Sequence, residues 1–374
     1  MSPDSLPAEL TAAALAVAAA TLLAACWDTR TGWQRHTVRA GTALLCLATT
    51  ALAGLSWANR QSATYTTWSD LLGHPDTATS AVAAGTGDGH HGRVVTVTVP
   101  GTASGLNLPM YVYLPAAYDT HPDQRFPVIE TLHGYPGSPA GWLQSLDAPA
   151  HLDREITAGR MAPTVVLFPY QTPDTMLDTE CLDLVHGPHA ETFLTTDVPA
   201  WATTHLRVRA DRNAWGLTGL SAGGYCATNL LLKHPDRYAA AASLSGYADP
   251  GITVGDGSEH TVNDDLWRLR HLPRPAVALY LSCGRTDHHA LRDTRALSHL
   301  AGAPITLTTS YIDGGGHNPA TWRAVEATAF DWLSTWLSRP RTDLTPTRPP
   351  AAPPAPRSGT TSPPSSDRPH RPGG

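Results

Sequence analysis

Ser221 stands in the run GLTGLSAGGYCATNLLLKHPDRY with a glycine two residues before it, Gly219, and another two after it, Gly223. This spacing suits a nucleophile elbow, a strained strand-to-helix turn that lifts a serine hydroxyl above a sheet while side chains two residues away would collide with neighbouring backbone. A serine in a glycine-rich turn is more often a simple turn or cap residue. Its hydroxyl is also a poor nucleophile at neutral pH, so chemistry here requires a base and an acid to orient it.

In this type of site the acid and then the histidine follow the serine along the chain. With 18 histidines present, context selects His317, in SYIDGGGHNPATW, on a glycine-rich loop between a strand-like run and a final helix. In ALYLSCGRTDHHALRD a strand ends near Cys283, turns at Gly284 and presents Asp287, whose carboxylate would fix the imidazole tautomer. Helix capping is the plain alternative for Asp287. Asp293 is expected within a helix and Asp313 is close in sequence to His317, which makes them weaker competitors. His288 and His289 lack metal-ligand spacing and read as surface residues. Two oxyanion donors are expected, the Ala222 N–H and, in TLHGYPGSPAGW, the Tyr135 N–H; His133 would order that loop. Glu130 inside PVIETL is unusual, and implies a place near the strand end or a paired buried carboxylate.

The elements that must position these groups alternate along the chain. RVVTVTVP (93–100) and LPMYVYLP (108–115) suggest an antiparallel opening. The runs PVIETLHG, TVVLFPY, AWGLTGLS, YAAAASLSG, AVALYLSCG and ITLTTSYIDGGG follow as short apolar strands, most of them separated by helix-like segments such as 222–234 and 320–337. The pattern predicts an α/β fold with a mostly parallel central sheet and helices on both faces.

At the front, 10–27 and 40–59 carry no charge, and each approaches the ~20 residues a membrane-spanning helix needs. Arg30, Arg35 and Arg39 lie between them, whereas the residues ahead of the first contain Asp4 and Glu9 and no basic side chain. Positive loops stay in the cytoplasm, so this asymmetry places both chain ends outside. A lipoprotein cleavage box ending at Cys26 (LAAC) is the rival reading, opposed by the missing positive leader; an Ala-rich hairpin buried in protein is another. The expected organisation is a two-helix membrane anchor over 1–60, a linker over 61–92, a catalytic domain over 93–338 and a disordered Pro-rich tail over 339–374.

Composition bounds the partners. The 374 residues are 41% apolar and 16% charged with a net charge of −6, and no basic stripe with interleaved aromatics is present, so nucleic acid is not an expected partner. The five cysteines form no close pair, which argues against a structural metal or a redox dithiol. If Cys181, Cys226 and Cys283 lie outside the cell, one pair can form a disulfide; Cys283 falls in an expected core strand, favouring Cys181 with Cys226, although spacing alone fixes no pairing.

Together LHGYPGS, GLSAGGYCATNLLLKHPDRY, SCGRTD and GGGHNPATW resemble the esterase family of α/β-hydrolases that includes esterase D-like enzymes, feruloyl esterases and the mycolyltransferases of the actinobacterial envelope, over about 93–337. It also resembles members that place this domain behind N-terminal membrane helices. The resemblance implies an α/β-hydrolase fold, Ser221 as nucleophile, Asp287 as acid, His317 as base, Ala222 and Tyr135 as oxyanion donors, and no cofactor. The mycolyltransferases generally use Glu as the acid, so Asp287 leans towards hydrolysis of a small-molecule, lipid or glycan ester. Acyl transfer to a sugar or glycolipid hydroxyl is the alternative, and a non-catalytic surface-binding protein on a hydrolase scaffold the third reading.

Overall fold

The computed structural model describes residues 3, 5–29, 31–62, 68–71 and 91–342. Most of the expected linker and nearly all of the expected tail lie outside the described residues.

Buried apolar runs build the sheet. The first strand β1 (Arg93–Pro100) pairs antiparallel with β2 (Asn107–Leu114), and β3 (Gln124–Arg125) is a two-residue strand that forms its own small ladder. The main sheet continues with β4 (Val128–Leu132), β5 (Val165–Pro169), β6 (Trp215–Leu220), β7 (Ala240–Leu244), β8 (Ala278–Gly284) and β9 (Thr306–Ile312), in the spatial order β1-β2-β5-β4-β6-β7-β8-β9. All neighbours from β5 through β9 run parallel; β2 meets β5 antiparallel. Every residue of β4, β5, β7 and β8 is buried, so both faces of the central sheet are covered. This is why those strands read as unbroken apolar runs, whereas edge strand β9 is only partly buried. A fully buried side chain of the size of Phe168 or Leu217 contributes about 1.5–3 kcal/mol relative to exposure.

Parallel pairing has a functional consequence. It brings the carboxyl ends of β4, β6, β8 and β9 to one edge, so the loops that carry Tyr135, Ser221, Asp287 and His317 meet there.

The chain stays ordered beyond the expected boundary at 338: β10 (Arg341–Thr342) pairs antiparallel with β3. Thr342 is the last described residue.

Glu130 is the one acid of β4 and is fully buried. The Tyr238 hydroxyl lies 3.1 Å from its Oε2 and 3.3 Å from the Leu194 carbonyl. Burial pushes its carboxyl up to about 8, with the Tyr238 bond and the Arg237 charge pulling weakly the other way. The folded state therefore holds a proton that the unfolded chain releases near pH 4.5, so this group's contribution to stability falls as pH rises from there through about 8. Glu130→Gln, which keeps an acceptor for Tyr238 and cannot ionise, is expected to melt close to the wild type at pH 5 and several degrees above it at pH 9, as read by differential scanning calorimetry.

Ahead of the sheet, helices α1 (Leu6–Cys26) and α2 (Trp33–Ser62) pack as an antiparallel hairpin. Both are long and apolar enough to cross a membrane, with mean hydropathies of 1.8 and 1.5 over their best windows. At 1.5 Å per residue α1 is about 31 Å long, near the ~30 Å of a hydrocarbon core. Charges close both ends: Glu9 pairs with Arg60 at 2.7 Å, and Asp28 with Arg39 at 2.8 Å. The connecting segment is shorter than the uncharged stretches imply, because α2 begins at Trp33 and takes Arg35 and Arg39 into its first turns. A lack of charge marks apolar length but not helix ends, since arginine is itself a good helix former.

Candidate active site

Ser221 lies between the last residue of β6 and the first of the helix Ala222–Lys233, at φ 55° and ψ −120°. Non-glycine residues rarely occupy this region, and such strain gathers at functional turns. Its neighbours show why glycine is needed: a Cβ on Gly219 would sit 1.9 Å from the Gly223 carbonyl oxygen, and one on Gly223 would sit 2.1 Å from the Leu132 carbonyl oxygen. The turn is pinned by the Ser221 N–H, which donates to the Leu244 carbonyl at 2.9 Å.

His317 follows β9 on the glycine loop and precedes the helix Pro319–Trp336, which Asn318 caps through the Thr321 N–H at 3.0 Å. Its Nε2 lies 2.8 Å from Ser221 Oγ, and its Nδ1 lies 2.6 Å from Asp287 Oδ2. With Nδ1–H donating to the carboxylate, Nε2 is left to accept from the serine hydroxyl. Trp322 meets the imidazole edge-on at 5.1 Å, limiting its tilt. Asp287 is 5% exposed and makes both contacts weighed for it, since besides the bond to His317 its Oδ1 accepts the Ala290 N–H at 3.2 Å and caps the helix His288–Leu300. Burial raises its pKa, but the His317 hydrogen bond and charge, aided by the Ala290 amide, outweigh this and hold the carboxyl below its ordinary value. Asp293 is buried within that helix and accepts the Ala248 N–H, while exposed Asp313 pairs with Arg285 at 2.6 Å. His288 and His289 are exposed, and His289 stacks on Tyr247.

The loop after β4 closes the site. Gly134 passes so near the turn that an added Cβ would lie 3.3 Å from Ser221 Cβ. Burial pushes the neighbouring His133 down to about 4, against its bond to the Gly134 carbonyl; the ring is neutral at physiological pH and orders the loop through that 2.9 Å bond. Trp142 Nε1 donates to the Leu132 carbonyl and Gln171 Nε2 to the His133 carbonyl, each at 3.2 Å. Tyr135 and Ser221 line one cleft of about 170 Å³, with Trp142, Leu146, His317 and Trp322 among its walls. Ala222 opens its helix, so its N–H is among the first-turn donors a helix cannot satisfy internally. The five residues singled out from the sequence thus converge at one sheet edge.

One close backbone approach was not anticipated. A Cβ on Gly284 would lie 2.0 Å from the Gly315 carbonyl oxygen, which accepts from both the N–H and the hydroxyl of Thr286 at 3.0 and 2.7 Å. That close approach brings the Asp287 loop to the His317 loop; the glycine that ends β8 was its only signal. Cys181 and Cys226 form a disulfide, joining the loop after β5 to the helix that starts at Ala222. The pair closes a loop with a sequence separation of 45. Replacing both cysteines with serine is expected to lower unfolding stability by about 2–4 kcal/mol in denaturant titration. Cys283 is a buried free thiol in β8.

An eight-stranded, mostly parallel sheet with a serine on the turn between a central strand and its helix is an α/β-hydrolase fold. The sequence profile of the Esterase family, described as "Putative esterase", matches residues 102–345, and the chain belongs to that family. An uncharacterized protein of Corynebacterium glutamicum is 28% identical over 266 residues, 65% of this chain and 62% of its own length. The diacylglycerol acyltransferase/mycolyltransferase Ag85B of Mycolicibacterium smegmatis is 37% identical over 142 residues, 35% of this chain and 41% of its own. The chain thus spans about three fifths and two fifths of these two relatives. Among solved structures, a ferulic acid esterase superposes with TM-score 0.59 at 20% identity, covering 66% of this chain and 99% of that one. The S-formylglutathione hydrolase of Agrobacterium tumefaciens gives 0.57 at 16% identity, covering 70% and 99%. At these identities the superpositions speak to the fold.

Proposed function

We propose that this protein is an extracytoplasmic serine esterase that cleaves carboxylic esters through an acyl-enzyme intermediate, with its catalytic domain over 93–342 held at the membrane by α1 and α2. The carrying observation is the unbroken line from Ser221 Oγ through the His317 ring to Asp287.

In this reading Ser221 Oγ attacks the ester carbonyl carbon while His317 Nε2 takes its proton, and Asp287 stabilises the imidazolium that forms. The negative charge on the carbonyl oxygen is met by the Ala222 and Tyr135 amides and by the positive end of the helix behind Ser221. Collapse expels the alcohol, which leaves with the proton from Nε2, and the acyl group remains on Ser221. Water, deprotonated by His317, then releases the acid. The positive-inside asymmetry of the hairpin supports the outward placement of the domain.

A second reading has support of its own in the match to the mycolyltransferase: a sugar hydroxyl could replace water in the last step, with the same residues in the same roles. Detergent-solubilised full-length protein incubated with p-nitrophenyl butyrate, with and without trehalose, separates the two. Free butyrate as the main product in both cases is expected. Butyryl-trehalose as the main product would transfer the assignment to acyl transfer, and no p-nitrophenol release would contradict both.

A further inference from the structure

The half of the hairpin that carries the Glu9–Arg60 pair does not close on itself. Between Ala8 and Leu15 on α1 and between Leu52 and Asn59 on α2, the two helices wall a cavity of about 590 Å³. Trp68 and Leu71 of the short helix after α2 complete it, together with Pro136 from the loop after β4. No charged side chain stands among its described walls. At 1.5 Å per residue the cavity follows α1 for about 10 Å. Exposed tryptophans mark both ends of the hairpin, Trp57 and Trp68 at this one and Trp27 and Trp33 at the other, the pattern of side chains that settle at the two interfaces of a bilayer. By the positive-inside asymmetry, the end with Trp57 is the outer one.

Pro136 is common to two sites, because it also lines the cleft that holds Ser221. The cleft alone, at about 170 Å³, falls below the ~300–1,000 Å³ of ordinary ligand pockets and holds a short group. The cavity past Pro136 lies within that range. Around the junction the surface stays apolar: Tyr135, Pro136 and Met176 are all exposed, and the Tyr135 hydroxyl donates to the Met176 carbonyl at 2.9 Å, which keeps these residues together. Exposed apolar side chains are ordinary when scattered, whereas a group of them beside a reaction centre marks a contact with something apolar. A cavity without charge at bilayer depth takes a hydrocarbon occupant, and its continuity with an ester-cleaving cleft specifies which one. It is the far part of a chain whose ester end reaches Ser221.

Resting on the esterase reading and on the membrane placement that goes with it, we infer that the outer half of the hairpin is the chain-binding part of the substrate site, and that the ester cleaved is a lipid ester with a long hydrocarbon chain. The chain passes Pro136 and lies between α1 and α2, so the anchor takes part in choosing the substrate. The chain can belong to the acyl or to the alcohol portion of the ester. Both present the same hydrocarbon to the cavity, and matched substrates distinguish them.

The test measures kcat/KM of the full-length protein in phosphatidylethanolamine–phosphatidylglycerol vesicles on two ester pairs. p-Nitrophenyl dodecanoate against p-nitrophenyl butyrate probes the acyl side, and dodecyl butyrate against ethyl butyrate the alcohol side. The long member of one pair is expected to be preferred by about 100-fold or more, a modest share of the roughly fourfold that burial of each added CH₂ is worth. Thr11→Phe and Ser56→Phe, one on each helix, fill the cavity and should each lower that long-to-short ratio by about tenfold or more. Wild-type ratios near one for both pairs would overturn the inference without any variant. So would a ratio left intact in either variant, whether its rates are unchanged or fall together, since partition of the long ester into the bilayer then sets the preference and the cavity does not. Turnover of both short esters with no preference for length leaves the esterase reading standing and removes this one alone. A wild type that turns over none of the four esters would overturn the esterase reading itself, and this inference with it.

Discussion

Ser221→Ala is expected to lower kcat on a short ester by about 10⁴ to 10⁶-fold, since removing the nucleophile of such a triad leaves only the oxyanion donors and binding to act on water. KM should change little, because the cleft walls at Trp142, Leu146 and Trp322 are untouched. The fold should persist: Ser221 donates its backbone N–H to Leu244 and its carbonyl accepts the Gly224 N–H, and alanine keeps both bonds. Stopped-assay kinetics with circular dichroism on the same preparation checks this; a residual kcat within tenfold of wild type would remove Ser221 from the mechanism.

Asp287→Asn is the second large effect, expected at about 10⁴-fold in kcat. An amide in place of the carboxylate can still cap the helix His288–Leu300 through Ala290, so stability is largely kept. What it loses is the negative charge 2.6 Å from His317 Nδ1, which in the proposed mechanism holds the tautomer and offsets the charge gained when Nε2 takes the serine proton. Asp287→Ala should lose the cap as well, adding a destabilisation of about 1 kcal/mol. The pair of variants therefore separates orientation of the imidazole from capping of the helix: kcat should fall in both, thermal stability mainly in the second. Equal kcat in Asp287→Asn and wild type would show that His317 needs no acid at this position.

Much of this architecture was readable beforehand because the physics involved is local. Strands buried on both faces must be continuously apolar, so VVLFP and ALYLSCG announced themselves, and β1 matched its alternating run from Arg93 to Pro100. Ser221 and His317 were legible for a related reason: the backbone around each needs glycine, and glycine is visible in a sequence. The partners that depend on long-range contact were not visible. Tyr238 meets Glu130 across 108 residues, and nothing near either one signals the other. The Gly284 to Gly315 approach and the left-handed Glu180 are likewise products of how loops from separate strands settle against each other. The Cys181–Cys226 pairing was favoured only because Cys283 looked like core, where it is indeed found.

The central claim is that Ser221 is the group that becomes acylated, and the most direct measurement is the site of covalent attachment. Full-length protein treated with a fluorophosphonate probe, digested and mapped by mass spectrometry should carry one adduct, on Ser221, and Ser221→Ala and heat-denatured protein should carry none. An adduct on another residue, or undiminished ester hydrolysis in a protein whose Ser221 stays unmodified, would contradict the account.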